Sequence, residues 1–116
     1  MRILALESST TSAKAMYYDT ETKESLVETE AYGQMYEDAV LHNAETAFQK
    51  TMSAGRKVLQ GRSVDVISLC AAWHSVCLCD EKMRPVTPLY PWSYTGASAL
   101  CRELRKDADY VDRYYH

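Results

Sequence analysis

The hydrophobic pattern of this chain changes its period after Gly33, and this change restricts the fold more than any other feature. Over residues 44–60 apolar residues recur every three or four positions, which is the spacing of one helix face. Asn43 precedes this run as an N-cap and Gly61 follows it as a stop signal. The next run, VDVISLCAA, lacks polar alternation and predicts a strand covered on both faces. Such a strand usually lies parallel to an earlier one, through a right-handed crossover.

Short alternating segments surround this helix and strand. The other predicted elements are the strands RILALE, AKAMYYD, ESLVETEAY and HSVCLCD, a short extended VTPLYPW broken by prolines, a helix from Thr95 onward and a short helix in ADYVDRYYH. The first three strands are joined by short polar turns and predict an antiparallel meander. The predicted order is therefore β-β-β-α-β-β-α in one α/β domain.

Composition excludes several classes of function. The chain has 116 residues, enough for one domain, and a formal net charge of -3. Nucleic acids and membrane surfaces attract basic proteins, so neither is an expected partner. The longest apolar run, VISLCAAW, is far shorter than the ~20 residues of a membrane span. The opening MRILALESS does not resemble a secretory signal, and a cytoplasmic location is predicted.

The four cysteines give no metal-site pattern. They are Cys70, Cys77, Cys79 and Cys101. Zinc sites usually combine two pairs of ligands, and the second pair is missing here. Reduced, buried thiols are therefore predicted.

The segment LESSTTSAKA places hydroxyl groups between two predicted strands. Amides in a tight turn and Ser or Thr hydroxyls can donate to an anion. A lysine adds a positive charge for phosphate oxygens, and a carboxylate can hold hydrated Mg²⁺. The alternative is a hairpin turn that is rich in Ser and Thr because these residues favour turns. The local residues leave both interpretations open.

Two separated motifs resemble one family. LALESSTTSAKA resembles the first phosphate motif of the FGGY family of carbohydrate kinases, in which an acidic residue and any residue precede Gly-Thr-Thr-Ser and a basic residue follows. ISLCAAWHSVCLCDEKMRPVTPLYPW resembles that family's strand, His-containing turn, strand, Asp, turn and Pro-Trp segment. Its A-x-H-S-V core is most similar to the gluconate kinase and xylulokinase branches. The resemblance covers most of the chain and is weakest across residues 20–60.

The resemblance implies a ribonuclease H-like (actin-like ATPase) fold, with helices packed on a mixed five-stranded sheet. Residues 1–116 would form part of the N-terminal domain of a kinase, with a second kinase domain in the parent chain. The implied reaction transfers the γ-phosphoryl of Mg-ATP to a hydroxyl of a sugar or sugar acid. ATP and Mg²⁺ are the implied cofactors, and a homodimer is compatible with the family.

Residue roles carry over from the matched motifs. The implied ligands are Thr10, Thr11, Ser12 and Lys14 for the nucleotide phosphates, Glu7 for Mg²⁺ through water, and Trp73, His74 and Trp92 for the sugar. In members of the family the catalytic aspartate lies at the start of the second half of the full-length kinase, and no residue of this sequence matches it. The 116 residues alone are therefore expected to be inactive.

Several residues depart from the family pattern. Glu7 replaces Asp, Ser9 replaces Gly, and Tyr94 and Gly96 replace a charged Asp/Arg pair. These departures keep a catalytically degenerate, ligand-binding relative open as an alternative. A non-kinase actin-like ATPase is a second alternative. A ribonuclease H-type nuclease would need several acidic residues around two metals, and only Glu7 lies at a suitable strand end.

Overall fold

A computed structural model describes residues 1–115 and contains one mixed sheet with three helices. The elements are β1 (Arg2–Ser8), β2 (Ser12–Asp19), β3 (Ser25–Ala31), α1 (Ala44–Leu59), β4 (Val66–Ala71), α2 (Ser98–Leu104) and α3 (Ala108–Tyr115). The strand order is β3-β2-β1-β4. β1 and β3 pair antiparallel with β2, and β4 pairs parallel with β1. The predicted meander and parallel crossover are confirmed; the predicted tail helix extends to Tyr115, and His116 lies outside the described residues.

The predicted fifth strand is not seen, and the sheet in residues 1–115 has four strands. The segment HSVCLCD makes isolated bridges with the segment that follows it, Val76 with Tyr90 and Cys79 with Pro85. We call residues 76–90 the hairpin. Prolines at 85 and 88 lack the amide donor that a continuous ladder needs, so the arms meet at separate points.

Helix α1 covers one face of the meander. Its buried side packs on β1 and β2 in one cluster: Leu4, Leu6, Ala15, Tyr17, Ala54 and Val58. The helix begins at Asn43, whose Oδ1 accepts from the Thr46 amide at 2.8 Å, and ends at Gln60 in the left-handed conformation. Helix and sheet approach closely at Gly55, where a β carbon would lie 3.0 Å from Leu6 Cδ2.

The beginnings of β1 and β4 are joined by Arg2 and Asp65. Their backbones and side chains share hydrogen bonds, including Arg2 N to Asp65 Oδ2 at 2.8 Å, and an ion pair at 2.7 Å. The hydrogen bond from the Arg2 guanidinium, followed by that from its amide, lowers the pKa of Asp65 to about 2. This contact fixes the register in which Ser8 lies beside Ala71.

Strand β4 differs from its prediction because all six of its residues are exposed. Ile67 and Leu69 pair with buried Leu4 and Leu6, so they lie on the face that α1 covers elsewhere. Because α1 lies over β1, β2 and β3, these side chains remain open, and Leu69 is 77% exposed.

The prediction of buried thiols is also wrong. Cys70, Cys79 and Cys101 are exposed and Cys77 is half-buried, and all four are free. None of the helices in residues 1–115 is both long enough and apolar enough to cross a membrane.

The contact at Gly55 predicts that Gly55→Val destabilises the fold. The added side chain meets Leu6 in a packed core, and overpacking of this kind typically costs about 1–3 kcal/mol. The urea unfolding midpoint should fall. Arg56→Val is the matched control, because it places valine one residue further along α1 at an exposed position. A Gly55→Val protein as stable as the control would contradict this packing.

Candidate functional site

The ends of β1 and β4 lie side by side because the two strands are parallel. The Ala72 amide donates to the Ser8 carbonyl at 2.9 Å. The turn after β1 is closed by Ser9, whose amide and hydroxyl both donate to the Ser12 carbonyl at 3.0 Å. Ser9 is outside the left-handed region, so serine at this position, where the motif that it resembles has glycine, carries no such strain.

This turn borders a cavity of about 240 Å³, which we call the hydroxyl cavity. Its lining includes Ser8, Ser9 and Thr10 from the turn, and Ala72, Ser75 and Pro91 from the segments that follow β4. Hydroxyl groups from both strand ends therefore face one space. Ligands of open α/β sheets commonly bind at this place, beyond the carboxyl ends of the strands.

Tyr32 and His42 form another wall of the hydroxyl cavity. The Tyr32 hydroxyl shares a 2.7 Å hydrogen bond with Ser8 Oγ, and its ring meets the His42 ring edge-on at 5.7 Å. Backbone hydrogen bonds of 2.8 and 3.1 Å hold His42 against Leu89. Neither residue was predicted to belong to the site. Tyr32 ends the predicted strand ESLVETEAY, which carried no sign of a binding role, and His42 lies in a loop without a periodic pattern.

Glu7 and Lys14 lie on the opposite face of the sheet. Side chains alternate along β1, so Glu7 points away from the face that carries Leu6 and Ser8. Lys14 is its cross-strand partner, and Lys14 Nζ lies 3.5 Å from Glu7 Oε2, with both side chains partly exposed. The structure thus separates this ion pair from the hydroxyl cavity.

The residues predicted to bind phosphate therefore lie in different places, with Thr10 at the cavity and Lys14 on the opposite face of the sheet. Thr10 lines the cavity, Thr11 is exposed, and the Ser12 carbonyl closes the turn. The Thr11 carbonyl accepts from the Tyr32 amide at 3.0 Å, which ties the turn to the end of β3. The turn is consequently held from two sides.

His74 and Trp92 face a second, wider depression of about 1010 Å³, and Pro91 borders both spaces. His74 has φ of 58°, a left-handed conformation that is uncommon outside glycine and often found at functional sites. Its ring stacks on Trp73 at 4.8 Å, nearly parallel. Trp73 is 80% exposed, and it contacts this region by stacking on His74.

The wall of the wide depression is aromatic where the resemblance implies a charged pair. The Tyr94 ring lies over Gly96, so that a β carbon at position 96 would overlap its hydroxyl. Tyr94 also packs against Tyr90, with ring centroids 5.0 Å apart. A side chain at position 96 would therefore have to displace the Tyr94 ring from this position.

The residues around the hydroxyl turn fit a magnesium ion that is bound together with a nucleotide. In residues 1–115 no three His, Cys, Asp or Glu side chains are grouped to hold a metal. Mg²⁺ that accompanies a nucleotide usually needs one or two carboxylates, with phosphate oxygens and water completing its shell. Glu7, a partly exposed carboxylate near the end of β1, would meet that requirement from the face of the sheet opposite the hydroxyl cavity, where it now pairs with Lys14.

The fold is that of part of several sugar kinases. A gluconate kinase from Lactobacillus acidophilus matches with a TM-score of 0.77 and 16% identity over 90% of this chain. The ligand-bound xylulose kinase from that organism gives the same values. Plasmodium falciparum glycerol kinase with ADP matches with a TM-score of 0.68 and 22% identity over 88% of this chain.

The matches cover a small part of the neighbours. The chain spans 22% of the length of each of these three structures. At the sequence level, no family model and no curated protein matches it. The structural likeness therefore establishes the fold.

The hydrogen bond between Ser8 and Tyr32 predicts that Tyr32→Phe destabilises the protein by about 0.5–1.5 kcal/mol, the net value of a typical internal hydrogen bond. The urea midpoint should shift with an unchanged slope. Tyr115→Phe, at an exposed site, should have no effect. Equal stability of the two variants would show that the Ser8 contact contributes nothing.

Proposed function

We propose that this chain is the N-terminal portion of an ATP-dependent carbohydrate kinase of the FGGY family. The enzyme transfers the γ-phosphoryl of Mg-ATP to a hydroxyl of a sugar or sugar acid. One observation carries the proposal: on the fold of sugar kinases, the hydroxyl turn after β1 borders a cavity that shares Pro91 with the depression around His74. A phosphate donor and a hydroxyl acceptor would thus lie in adjoining spaces.

The proposed phosphate-binding site consists of the hydroxyl turn and the Glu7–Lys14 ion pair on the opposite face of the sheet. The Thr10 hydroxyl, which lines the cavity, donates to phosphate oxygens. Lys14 leaves Glu7, 3.5 Å away, and adds its charge to the phosphates. Glu7 would hold the Mg²⁺ that accompanies the nucleotide, and this ion would supply positive charge to the phosphoryl group.

The acceptor end uses the wide depression. Trp92 offers an apolar ring face to the C–H groups of a sugar, and His74 can hydrogen-bond its hydroxyls. No carboxylate among residues 1–115 lines this depression. The base that accepts the hydroxyl proton is therefore assigned to a second domain, and the 116 residues alone do not turn over.

A ligand-binding relative without catalysis is the second candidate. Two observations favour it. Glu7 already forms an ion pair with Lys14, and the Tyr94 ring lies over Gly96 where the FGGY pattern has a charged pair. Calorimetric titration with ATP and with sugars separates binding from turnover.

The kinase proposal predicts sugar-dependent release of ADP by the longer polypeptide that contains this chain. The assay supplies Mg-ATP and a panel of pentuloses, gluconate and polyols, and measures ADP release. The isolated chain serves as the control and should show none. Binding of ATP and sugar without ADP release from any acceptor would instead identify the ligand-binding relative.

The phosphate role of Thr10 predicts weaker nucleotide binding by Thr10→Val in the longer polypeptide. Loss of a hydrogen bond to a charged group costs about 1.5–3 kcal/mol, or roughly a tenfold to hundredfold rise in the Kd for Mg-ATP by calorimetry. Thr22→Val, in the turn at the opposite end of β2, is the matched control. An unchanged Kd for Thr10→Val would remove this residue from the site.

A further inference from the structure

Two of the four cysteines lie close together on one arm of the hairpin. Cys77 Sγ and Cys79 Sγ are 3.9 Å apart. Cys79 is exposed and Cys77 is half-buried, so small molecules can reach the pair from solvent. Cys70 and Cys101 lie elsewhere, on β4 and α2.

The backbone between the two cysteines is held in an extended form. The Leu78 amide donates to Thr87 Oγ1 at 2.9 Å, and the Leu78 carbonyl accepts from the Val86 amide at 2.8 Å. In extended chain, residues two apart point to the same side, with Cα atoms about 6.7 Å apart. Disulfides span Cα distances of about 4.4–6.8 Å. A bond between Cys77 and Cys79 is therefore within reach, at the upper end of this range.

We propose that Cys77 and Cys79 form a reversible dithiol–disulfide site that is oxidised by low-molecular-weight disulfides. One cysteine thiolate attacks a sulfur of the small disulfide, whose S–S bond breaks and releases one thiol. The second cysteine thiolate attacks the protein sulfur of the mixed disulfide and releases the other thiol. The protein loses two electrons and two protons, and the small disulfide gains them as two thiols.

Disulfide formation at this site is expected to affect the wide depression, because the hairpin connects the two. Closing the short ring shortens the chain at Leu78 and strains its hydrogen bonds to the opposite arm. The next bridge, between Val76 and Tyr90, has hydrogen bonds of 2.8 and 3.0 Å, and both residues border the depression with Trp92. Disulfide formation is thus expected to change the surroundings of Trp92.

The test uses the 116-residue chain with Cys70→Ser and Cys101→Ser, which leaves only the pair. It is incubated with oxidised glutathione and analysed by intact-protein mass spectrometry and tryptophan fluorescence. The expected product is a monomer that has lost two hydrogens and carries no glutathione, with shifted emission. Dithiothreitol should reverse both changes.

Adding Cys79→Ser provides the control, because Cys77 alone should then retain one glutathione and the emission should stay unchanged. Two glutathiones on one chain, a disulfide-linked dimer, or a fully reduced pair would overturn the site. A Cys77–Cys79 disulfide with unchanged emission would overturn its connection to the depression.

Discussion

The parallel pairing of β1 with β4 is the constraint on which the rest of this structure depends. It places the ends of the two strands side by side, and the Ala72 amide bonds the Ser8 carbonyl there. The hydroxyl turn after β1 and Ser75 after β4 consequently share one cavity, although more than sixty positions separate them in sequence. The Arg2–Asp65 contact fixes this register at the other end of the strands.

Strand alternation then divides the chemistry of the site between two faces. Ser8 lies on the face covered by α1 and bonds Tyr32, whereas Glu7 lies on the opposite face and pairs with Lys14. Under the proposed function, the phosphates of a nucleotide therefore contact the edge of the sheet, with the turn on one side and the ion pair on the other. Only the turn, held by Ser12 and Tyr32, is fixed in advance. Under the same proposal, Lys14 would exchange Glu7 for a phosphate oxygen, and Glu7 would exchange Lys14 for the metal ion.

Local signals explain which parts could be predicted from the sequence. The bounds of α1 followed from Asn43 and Gly61, because caps act within one helical turn. Extension of the hairpin arms was also predictable, but its separate bridges depend on which amides the prolines remove from the opposite arm. His42 reached the cavity through a loop without periodicity, and the left-handed φ of His74 leaves no pattern in the sequence. Such features arise from tertiary contacts, and one sequence alone does not display them.

The exposure of β4 connects the failed prediction of its burial with the proposed function. Its sequence has the continuous apolar character of strands that are covered on both faces, yet Ile67 and Leu69 are open to solvent. Burial of apolar surface stabilises proteins by about 25 cal/mol per Å², and an uncovered apolar edge strand favours association. The solved sugar kinases that share the fold are about four times as long as this chain. In the proposed kinase, further polypeptide would cover β4, and the strand would then be buried as its apolar sequence predicts.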